Sequence, residues 1–415
     1  MIDLVTISVL LIFAISLVVN CLFVVTKKHH IARSVRSADV LAVQAAHRGP
    51  TPRIGGVGIF LGLLTAMAVL MPAEFGTMWW LFAATLVPIF LAGLAEDIGY
   101  RVSPSGRLLA AAVSSALCIA LLGMWVPRAD VPGLDLLFAW APFALVFTVF
   151  AASGICHAFN LIDGMNGLAA GVGVLVSVGL AAIAVEAGET SVATAAIYVV
   201  AALLGFLVLN YPLGKIFLGD AGAYTVGHVL AWLSIVLLAR IETLSPWAIM
   251  LVLFWPLADT VLAIYRRRRS GKPTGQPDRL HFHQLVMRGF EIVHFGRHRR
   301  HITNPLATLV ILPLAAMPVV AGVVLWDRPL PAFLAFIGFS VLFMASYQLG
   351  MKFANTKARR SVRGGAEIMA RVSAPVARTG AFGDRRSVKA PASWAPAPEV
   401  PRSAIVEQRT PVDVH

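Results

Sequence analysis

Residues Thr190–Asn210 read TSVATAAIYVVAALLGFLVLN, a stretch of 21 residues without a single charge. As an α-helix it would be about 30 Å long, the thickness of the hydrocarbon core of a bilayer. Ten more apolar runs of similar length occur in the chain: Leu4–Thr26, Ile54–Ala73, Phe75–Ala95, Leu108–Pro127, Leu136–Cys156, Gly164–Val185, Ala221–Ala239, Thr243–Tyr265, Ile302–Trp326 and Pro329–Met351. The sequence therefore predicts an all-α, polytopic membrane protein with about eleven transmembrane helices.

The overall composition supports this class. Of the 415 residues, 58% are apolar and 13% are charged, whereas a soluble domain carries roughly 25% charged residues. This composition excludes a soluble enzyme and a disordered chain. The three cysteines, Cys21, Cys118 and Cys156, all lie inside apolar runs, so we expect small packing residues and no disulfide framework or metal site.

The distribution of basic residues predicts the orientation. If the N-terminus lies outside, the inside loops carry 19 Lys and Arg residues and the outside loops carry 3. Cytoplasmic loops are rich in these residues, so we expect a transmembrane domain at 1–351 with its N-terminus outside and its C-terminus in the cytoplasm. Residues 352–415, rich in Ala, Pro, Ser and Arg, are predicted to form a disordered, basic cytoplasmic tail. Contact of this tail with anionic membrane lipids and a simply solvated tail both stay open; nucleic acid is not an expected partner.

Acidic and amide side chains gather at the predicted cytoplasmic ends of the spans. They occur in AEDIG (95–99), NLIDGMNG (160–167), LGDAG (218–222) and PLADT (256–260), and a basic loop with two histidines follows at 266–284. One Asp beside a glycine turn is often only a helix cap. Since all of these groups are predicted on one membrane face, we interpret them as parts of one site.

These residue types suit phosphate chemistry. Carboxylate and amide oxygens are ligands for Mg²⁺, which usually combines one or two carboxylates with substrate phosphates. Arg and His bind phosphate oxygens through charge-assisted hydrogen bonds. Glycine turns let the backbone approach a ligand closely. The sequence therefore predicts a phosphate-processing site at the inner leaflet.

Six segments in order resemble the polyprenyl-phosphate N-acetylhexosamine-1-phosphate transferases, which are glycosyltransferases of family 4. The segments are HRGPTPRIGG (47–56), AEDIG (95–99), NLIDGMNGLAAG (160–171), FLGDAGAYTVG (217–227), PLADT (256–260) and PDRLHFH (277–283). The resemblance implies transfer of a sugar 1-phosphate from a UDP-linked N-acetylamino sugar, UDP-GlcNAc or a related UDP-HexNAc, to undecaprenyl phosphate. UMP would leave, and the product would initiate a lipid-linked cell-surface glycan at the cytoplasmic face of the bacterial inner membrane.

The resemblance also implies roles for individual residues. Asp220, helped by Asn160 or Asp163, would hold Mg²⁺, with Mn²⁺ as the alternative ion. Asp97 would engage the lipid phosphate, while Arg279, His281 and His283 would bind the nucleotide-sugar phosphates. The implied site has catalytic and substrate-binding members: Asp97, Asp163 and Asp220, and Glu96, Asn160, Asn166, Arg279, His281 and His283.

Three positions depart from the family pattern. Glu96 replaces the first Asp of an acidic pair, Asn166 stands where many relatives have Asp, and Gln284 stands where the histidine motif is extended in close relatives. These departures leave the identity of the sugar open. A catalytically inactive relative is a further alternative, although Asp97, Asp163 and Asp220 are retained.

The acceptor's own charge predicts a direct reaction. A phosphate monoester has a second pKa of about 6, so undecaprenyl phosphate is mostly a dianion at neutral pH and barely needs a general base. We expect in-line attack on the β-phosphorus of the donor. The alternative is a covalent intermediate on Asp97, which would release UMP without lipid.

Two other functions remain as alternatives at this stage. A transporter or flippase for a nucleotide- or lipid-linked sugar fits eleven spans, but its polar residues are expected near the midplane and not at one face. The phospho-N-acetylmuramoyl-pentapeptide transferase of wall synthesis is disfavoured by the spelling HFHQ at 281–284, because that branch carries three consecutive histidines. A homodimer is left open.

Overall fold

The computed structural model describes residues 4–28, 51–66, 76–269, 271 and 280–372, and within them every regular element is helical. The main helices are α1 (Leu4–Val25), α2 (Gly55–Thr65), α3 (Gly76–Asp97), α4 (Pro104–Leu122), α5 (Ala141–Ile162), α6 (Leu168–Glu186), α7 (Thr190–Asn210), α8 (Gly219–Arg240), α9 (Pro246–Val252), α10 (Phe254–Arg269), α11 (Phe282–Phe290), α12 (Arg300–Val324) and α13 (Pro329–Val372). Short helical turns occur at Asp135–Phe138, Glu291–Phe295 and Arg297–Arg299.

The helices confirm the all-α polytopic membrane class. Within the described residues, nine helices are long and apolar enough to cross a bilayer, and the bent pair α9–α10 gives a tenth. All eleven predicted runs contain helix. The second run contains only α2, because residues 67–75 lie outside the described part of the chain. The predicted orientation of the termini stays a prediction.

The predicted span Thr243–Tyr265 is not the single straight helix that its hydropathy predicts. Helices α9 and α10 meet at an angle of 82°. Leu253 ends α9 with φ −90° and ψ 9°, outside the helical region. Pro256 then lies in the first turn of α10, where its missing N–H costs no internal hydrogen bond. The break directs the buried Asp259 of α10 toward the start of α11.

Helix α8 is the central element of the fold. In an apolar stretch of 18 residues of α8, 94% of the residues are buried, against 17% in the corresponding stretch of α13. Helix α8 packs on α2, α3, α5 and α6. A β-carbon on Gly56 would collide with the backbone of Gly222, and one on Gly93 would collide with the backbone of Ala221. These close approaches fix the first turn of α8 against α2 and α3.

Helix α3, which ends at Asp97, contains an internal proline, Pro88. The next backbone N–H, that of Ile89, donates to Ser114 Oγ of α4 at 3.1 Å. The Thr85 hydroxyl lies 3.4 Å from Nε2 of the fully buried His228. Polar side chains of α4 and α8 therefore support the interrupted segment of α3.

The C-terminal helix extends beyond the predicted membrane domain. Residues 352–372, which composition assigns to a disordered tail, continue α13 as helix. The segment is rich in Lys, Arg and Ala, which favour helix, and the first proline after it is Pro375. Residues 373–415 lie outside the described residues, so the rest of the tail stays a prediction.

Candidate active site

The carboxylate of Asp97 caps the start of α8. Its Oδ1 accepts the backbone N–H of Asp220 at 2.9 Å, and its Oδ2 accepts that of Ala221 at 2.9 Å. These bonds satisfy two of the donors that every helix start leaves free. Asp97 is 2% exposed. The resemblance implied direct contact of Asp97 with the lipid phosphate, whereas this geometry uses both of its oxygens to hold the backbone that carries Asp220.

The motif around Arg53 pairs with the chain that enters α8. Gly55 and Gly56 donate to the carbonyls of Phe217 and Leu218 at 3.0 and 2.9 Å. Gly219 has φ +77°, and a β-carbon there would collide with the Arg53 carbonyl oxygen. Only glycine fits this position, and the pairing brings the Arg53 side chain toward Asp220.

Asp220 is a buried carboxylate surrounded by polar groups. Arg107 Nη1 lies 2.7 Å from its Oδ2, and Arg53 Nη2 lies 3.8 Å from its Oδ1. Asn160 Nδ2 donates to Oδ1 at 3.0 Å, while the Tyr224 hydroxyl lies 3.5 Å from Asn160 Oδ1. Sequence reasoning gave no role to Arg53 or Arg107, and Arg107 has no local pattern that would have revealed one.

Asp163 joins this group from the turn after α5. Loss of hydration on burial raises its pKa to about 7; the nearby Asp220 adds to the effect, while Arg53 and the Gly219 backbone N–H oppose it. The predicted trio of Asp163, Asn160 and Asp220 therefore converges. No cluster of three or more His, Cys, Asp or Glu side chains suited to a metal occurs among the described residues. Two carboxylates and an amide nevertheless fit Mg²⁺, which takes its remaining ligands from water and phosphate.

Asn166 fixes the turn between α5 and α6. Its backbone N–H donates to Asn304 Oδ1 at 2.9 Å, and its carbonyl accepts the Thr308 hydroxyl at 2.7 Å. Its side-chain Nδ2 donates to the Pro212 carbonyl at 3.3 Å, and Asn166 is 3% exposed. Sequence reasoning placed Asn166 among the substrate-binding residues; the structure shows it tying this turn to α12 and to the loop before α8.

A neighbouring asparagine, Asn210, was not singled out from the sequence. Its Oδ1 accepts the Gly167 N–H at 2.6 Å, and its Nδ2 donates to the Ile216 carbonyl at 2.7 Å. Asn210 therefore links the end of α7 to both turns of the site.

Glu96 holds the connection between α3 and α4. Its Oε2 accepts the Val102 N–H at 2.9 Å. The resemblance implied a substrate-binding role for Glu96, whose side chain reaches one methylene further than that of Asp. In the structure the longer side chain of Glu96 binds a backbone N–H six residues later in the chain.

The two histidines are organised by Asp259. Its Oδ2 lies 3.0 Å from His281 Nδ1 and 3.8 Å from His283 Nδ1, and its Oδ1 accepts the Phe282 N–H at 3.0 Å. All three titratable side chains are buried. Asp259 stood out in the sequence as a charge in an apolar run, but its partners could not be inferred because they follow 22 and 24 residues later.

The histidine segment also reaches the Asp163 turn. A β-carbon on Gly164 would lie 2.7 Å from His283 Nε2, so the ring rests directly on this glycine. Arg279, the remaining predicted member, lies outside the described residues. The structure thus brings Asn160, Asp163 and Asp220 together with Arg53 and Arg107, and places His283 next to them.

The sequence is similar to those of several known proteins. The family model described as glycosyl transferase family 4 matches residues 79–238. A probable undecaprenyl-phosphate N-acetylglucosaminyl 1-phosphate transferase of Bacillus subtilis is 29% identical over 317 residues, covering 76% of this chain and 84% of the relative. The decaprenyl-phosphate N-acetylglucosaminephosphotransferase of Mycobacterium tuberculosis is 28% identical, covering 67% and 78%.

A third relative extends the similarity to enterobacteria. The undecaprenyl-phosphate alpha-N-acetylglucosaminyl 1-phosphate transferase of Escherichia coli K12 is 27% identical over 269 residues, covering 62% of this chain and 71% of the relative. The region matched by the family model contains the turns that carry Asn160, Asp163 and Asp220. The chain is therefore similar to glycosyl transferase family 4 and to these transferases, in agreement with the resemblance of its six motifs.

Proposed function

We propose that the protein transfers N-acetylglucosamine 1-phosphate from UDP-GlcNAc to undecaprenyl phosphate, releasing UMP and leaving a lipid-linked sugar pyrophosphate. The observation that carries the proposal is the convergence of Asp163, Asn160 and Asp220 with two guanidinium groups. The names of the relatives support the donor and the acceptor. They do not favour the transporter alternative.

Mg²⁺ is the proposed cofactor. Asp220, Asp163 and Asn160 would hold it, and its charge would stabilise the pyrophosphate of the donor and the departing UMP. The donor set fits because Asp163 and Asp220 are oxygen ligands that repel each other when both are ionised, a cost that a cation between them would remove.

The residues of the chain have to manage repulsion between two anions. Two unit charges 4 Å apart repel by about 4 kcal/mol at an effective dielectric constant of 20. Arg53 and Arg107 would offset this repulsion on the carboxylate side, and His281, oriented by Asp259, would provide a hydrogen-bonding ring on the other. These groups therefore allow the two substrates to approach each other.

The reaction proposed is a direct displacement. An oxygen of the lipid phosphate forms a bond to the β-phosphorus of the donor, the bond from that phosphorus to the bridging oxygen breaks, and the electron pair leaves on UMP. A nucleophilic role for Asp97 is disfavoured, since attack through either oxygen would remove a cap from α8.

The excess of basic residues in the predicted inside loops supports a site on the cytoplasmic face of the inner membrane. Both substrates fit that location, because the nucleotide sugar is water-soluble and the lipid phosphate lies at the membrane surface.

The test is UMP release by purified protein in detergent or vesicles containing undecaprenyl phosphate and Mg²⁺, with a panel of UDP-N-acetylamino sugars. Lipid-dependent release with UDP-GlcNAc is expected, and removal of Mg²⁺ by chelation should stop it. Asp220→Asn is the negative control. UMP release that is independent of the lipid would contradict direct transfer, and silence across the panel from folded protein would contradict the proposed function.

A further inference from the structure

The arginine run 266–269 at the end of α10 contains two arginine–tyrosine pairs of different kinds. Arg266 Nη1 donates to the hydroxyl of Tyr347, a buried residue of α13, at 2.9 Å. The guanidinium carbon of Arg266 also lies 5.7 Å from the centroid of the Tyr347 ring, within the range of a cation–π contact. Arg269 donates at 3.1 Å to the exposed Tyr265 of its own helix. Of these two pairs, the first joins α10 to another helix.

The hydroxyl of Tyr347 also contacts the residue that precedes His281. It donates to the carbonyl oxygen of Leu280 at 3.3 Å. A phenol hydroxyl has one proton to donate and lone pairs to accept, so Tyr347 accepts from Arg266 and donates to Leu280 at the same time. The backbone carbonyl directly before His281 is thereby tied to α10 and α13 through one buried side chain.

The residue that follows His281 contacts the same face of α13. The rings of Phe282 and Phe343 stack with their centroids 5.0 Å apart and an interplanar angle of 27°. Phe343 precedes Tyr347 by four residues, which places both side chains on one face of α13. Trp255 of α10 packs edge-to-face on both rings, with centroid distances of 5.2 and 5.4 Å. Helix α13 therefore contacts the chain on both sides of His281.

These contacts give Arg266 a role different from that of its neighbours. An arginine that only anchors a helix at the membrane surface needs no buried partner, and Arg268 and Arg269 are exposed in this way. The ring of His281 is already held by Asp259 at 3.0 Å. A functional side chain is held in place when its partners and its backbone are both fixed. The contact through Tyr347 supplies the second of these conditions.

We propose that Tyr347 is a positioning residue for His281. Together with Arg266, it fixes the backbone that enters His281 and so sets the affinity for the nucleotide-sugar donor, whose identity rests on the proposed function. The carboxylates and the amide of the candidate site come from other parts of the chain, and α13 contributes to the site by holding the histidine segment.

Tyr347→Phe is the test variant, because it removes the hydroxyl and keeps the ring. The first measurement is backbone hydrogen exchange in the purified full-length protein. Exchange should become faster at residues 280–285 and stay unchanged in α6, because the variant frees the segment locally. This readout depends on neither turnover nor the identity of the donor.

The second measurement is the Kd for UDP-GlcNAc in the presence of Mg²⁺ and without lipid. It should rise about 5- to 10-fold in Tyr347→Phe, the effect of losing a hydrogen bond that positions a binding group. In steady-state UMP release, the KM for UDP-GlcNAc should rise by a similar factor. The kcat and the KM for the lipid should change by less than about twofold, because the lost contact acts on binding of the donor.

Tyr265→Phe is the matched control. It removes a tyrosine hydroxyl that accepts from an arginine of the same run, but in an exposed pair, so exchange and the Kd should not change. Arg266→Gln should raise the Kd for UDP-GlcNAc about 2- to 5-fold, since Tyr347 can still donate to Leu280. The double variant of Arg266 and Tyr347 should bind no more weakly than Tyr347→Phe alone, because Arg266 acts through the lost hydroxyl.

Three results would overturn the assignment. One is unchanged exchange at 280–285 together with an unchanged Kd in Tyr347→Phe. Another is additive weakening in the double variant, which would make Arg266 a direct contact of the donor. The third is an equal rise in both KM values with a lower unfolding temperature, which would leave Tyr347 a general packing residue.

Failure of the proposed function would look different. A wild-type protein that binds UDP-GlcNAc without releasing UMP would refute the transferase activity, and the rise in Kd would still support Tyr347. A wild-type protein that binds no UDP-GlcNAc would refute the proposed donor, and faster exchange at 280–285 in Tyr347→Phe would still support the positioning of His281.

Discussion

Among the described residues, the starts of two helices are capped by Asp side chains that belong to other helices. Asp97 of α3 caps α8, and Asp259 of α10 caps α11. The caps differ in how they are used. Both oxygens of Asp97 accept backbone N–H groups, whereas Asp259 gives one oxygen to the Phe282 N–H and the other to the His281 ring.

The difference shows two ways of positioning a functional group. Asp97 acts through the backbone and thereby sets the direction of Asp220. Asp259 touches the functional side chain itself. Loss of the first cap should therefore disturb folding and metal binding together, and loss of the second should mainly change how one substrate is held.

The largest effect is expected from substitution of Asp220, the side chain positioned by the Asp97 cap. Asp220→Asn should lower lipid-dependent UMP release by more than about 100-fold, because it removes a charged ligand from the proposed metal site. The protein should still insert into the membrane. Rates come from the UMP assay and insertion from membrane fractionation; near-normal release in this variant would remove Asp220 from the metal site.

The next effect is at the first cap itself. Asp97→Ala leaves two buried N–H groups without their acceptor, so we expect unfolding to become easier by about 1–3 kcal/mol. Metal affinity and UMP release should fall together by about 10- to 100-fold, as for residues that orient a ligand. Thermal unfolding and Mn²⁺ titration measure both. Complete loss of UMP release with unchanged Mn²⁺ binding would instead favour a covalent role for Asp97.

A smaller effect is expected at the second cap. Asp259→Asn keeps an acceptor for the Phe282 N–H but removes the charge beside His281. We expect the KM for UDP-GlcNAc to rise by about tenfold while the KM for the lipid changes little. Steady-state kinetics with each substrate varied in turn provide the check. An equal rise in both KM values would contradict the separate roles assigned to the Asp97 and Asp259 caps.

The smallest expected effect concerns Asp163, which lies between the two capped helices. Its pKa is raised to about 7, so it is partly protonated at neutral pH. A bound cation requires the ionised form, and Mn²⁺ affinity should therefore increase between pH 6 and pH 8. Because the pKa of Asp163 is higher in the folded chain than in the unfolded chain, the protonated side chain stabilises the fold at low pH. This contribution is lost as the pH rises through 7. The metal-free protein should thus unfold at a lower temperature at pH 8 than at pH 6.

Asp163→Asn is the control for this pH dependence, because an amide does not titrate. The increase in Mn²⁺ affinity should flatten in this variant. If the same slope persists, another group is responsible for it.

The sequence revealed the membrane class, and it predicted a group of polar residues that the structure partly brings together, for a physical reason. A bilayer demands long apolar helices, so the eleven runs were readable directly, and charged residues at their ends stood out. The break at Leu253 was not readable, because hydropathy is identical for a straight and a bent apolar segment. The helix beyond residue 351 was missed because basic composition does not distinguish an exposed helix from a solvated tail.

The contacts of the predicted site residues were harder to predict than their positions in the chain. Asp97 and Asn166 were identified as functional residues, but their hydrogen bonds reach backbone groups and side chains more than 40 residues away. Arg107 and Asn210 carry no distinctive motif, since one arginine or asparagine gains meaning only from its neighbours in space. Long-range partners of this kind are invisible in a single sequence.

The occupied start of α8 has a consequence for how the protein handles phosphate. The free N–H groups at a helix start are a common binding place for phosphate. In this protein two of them are already bound by the side chain of Asp97. Under the proposed function, phosphate groups arriving near α8 would be matched by side chains and the proposed cation instead of by these two backbone donors. Such partners can move away after the reaction, so a site built in this way can release a highly charged product as readily as it admits a charged substrate.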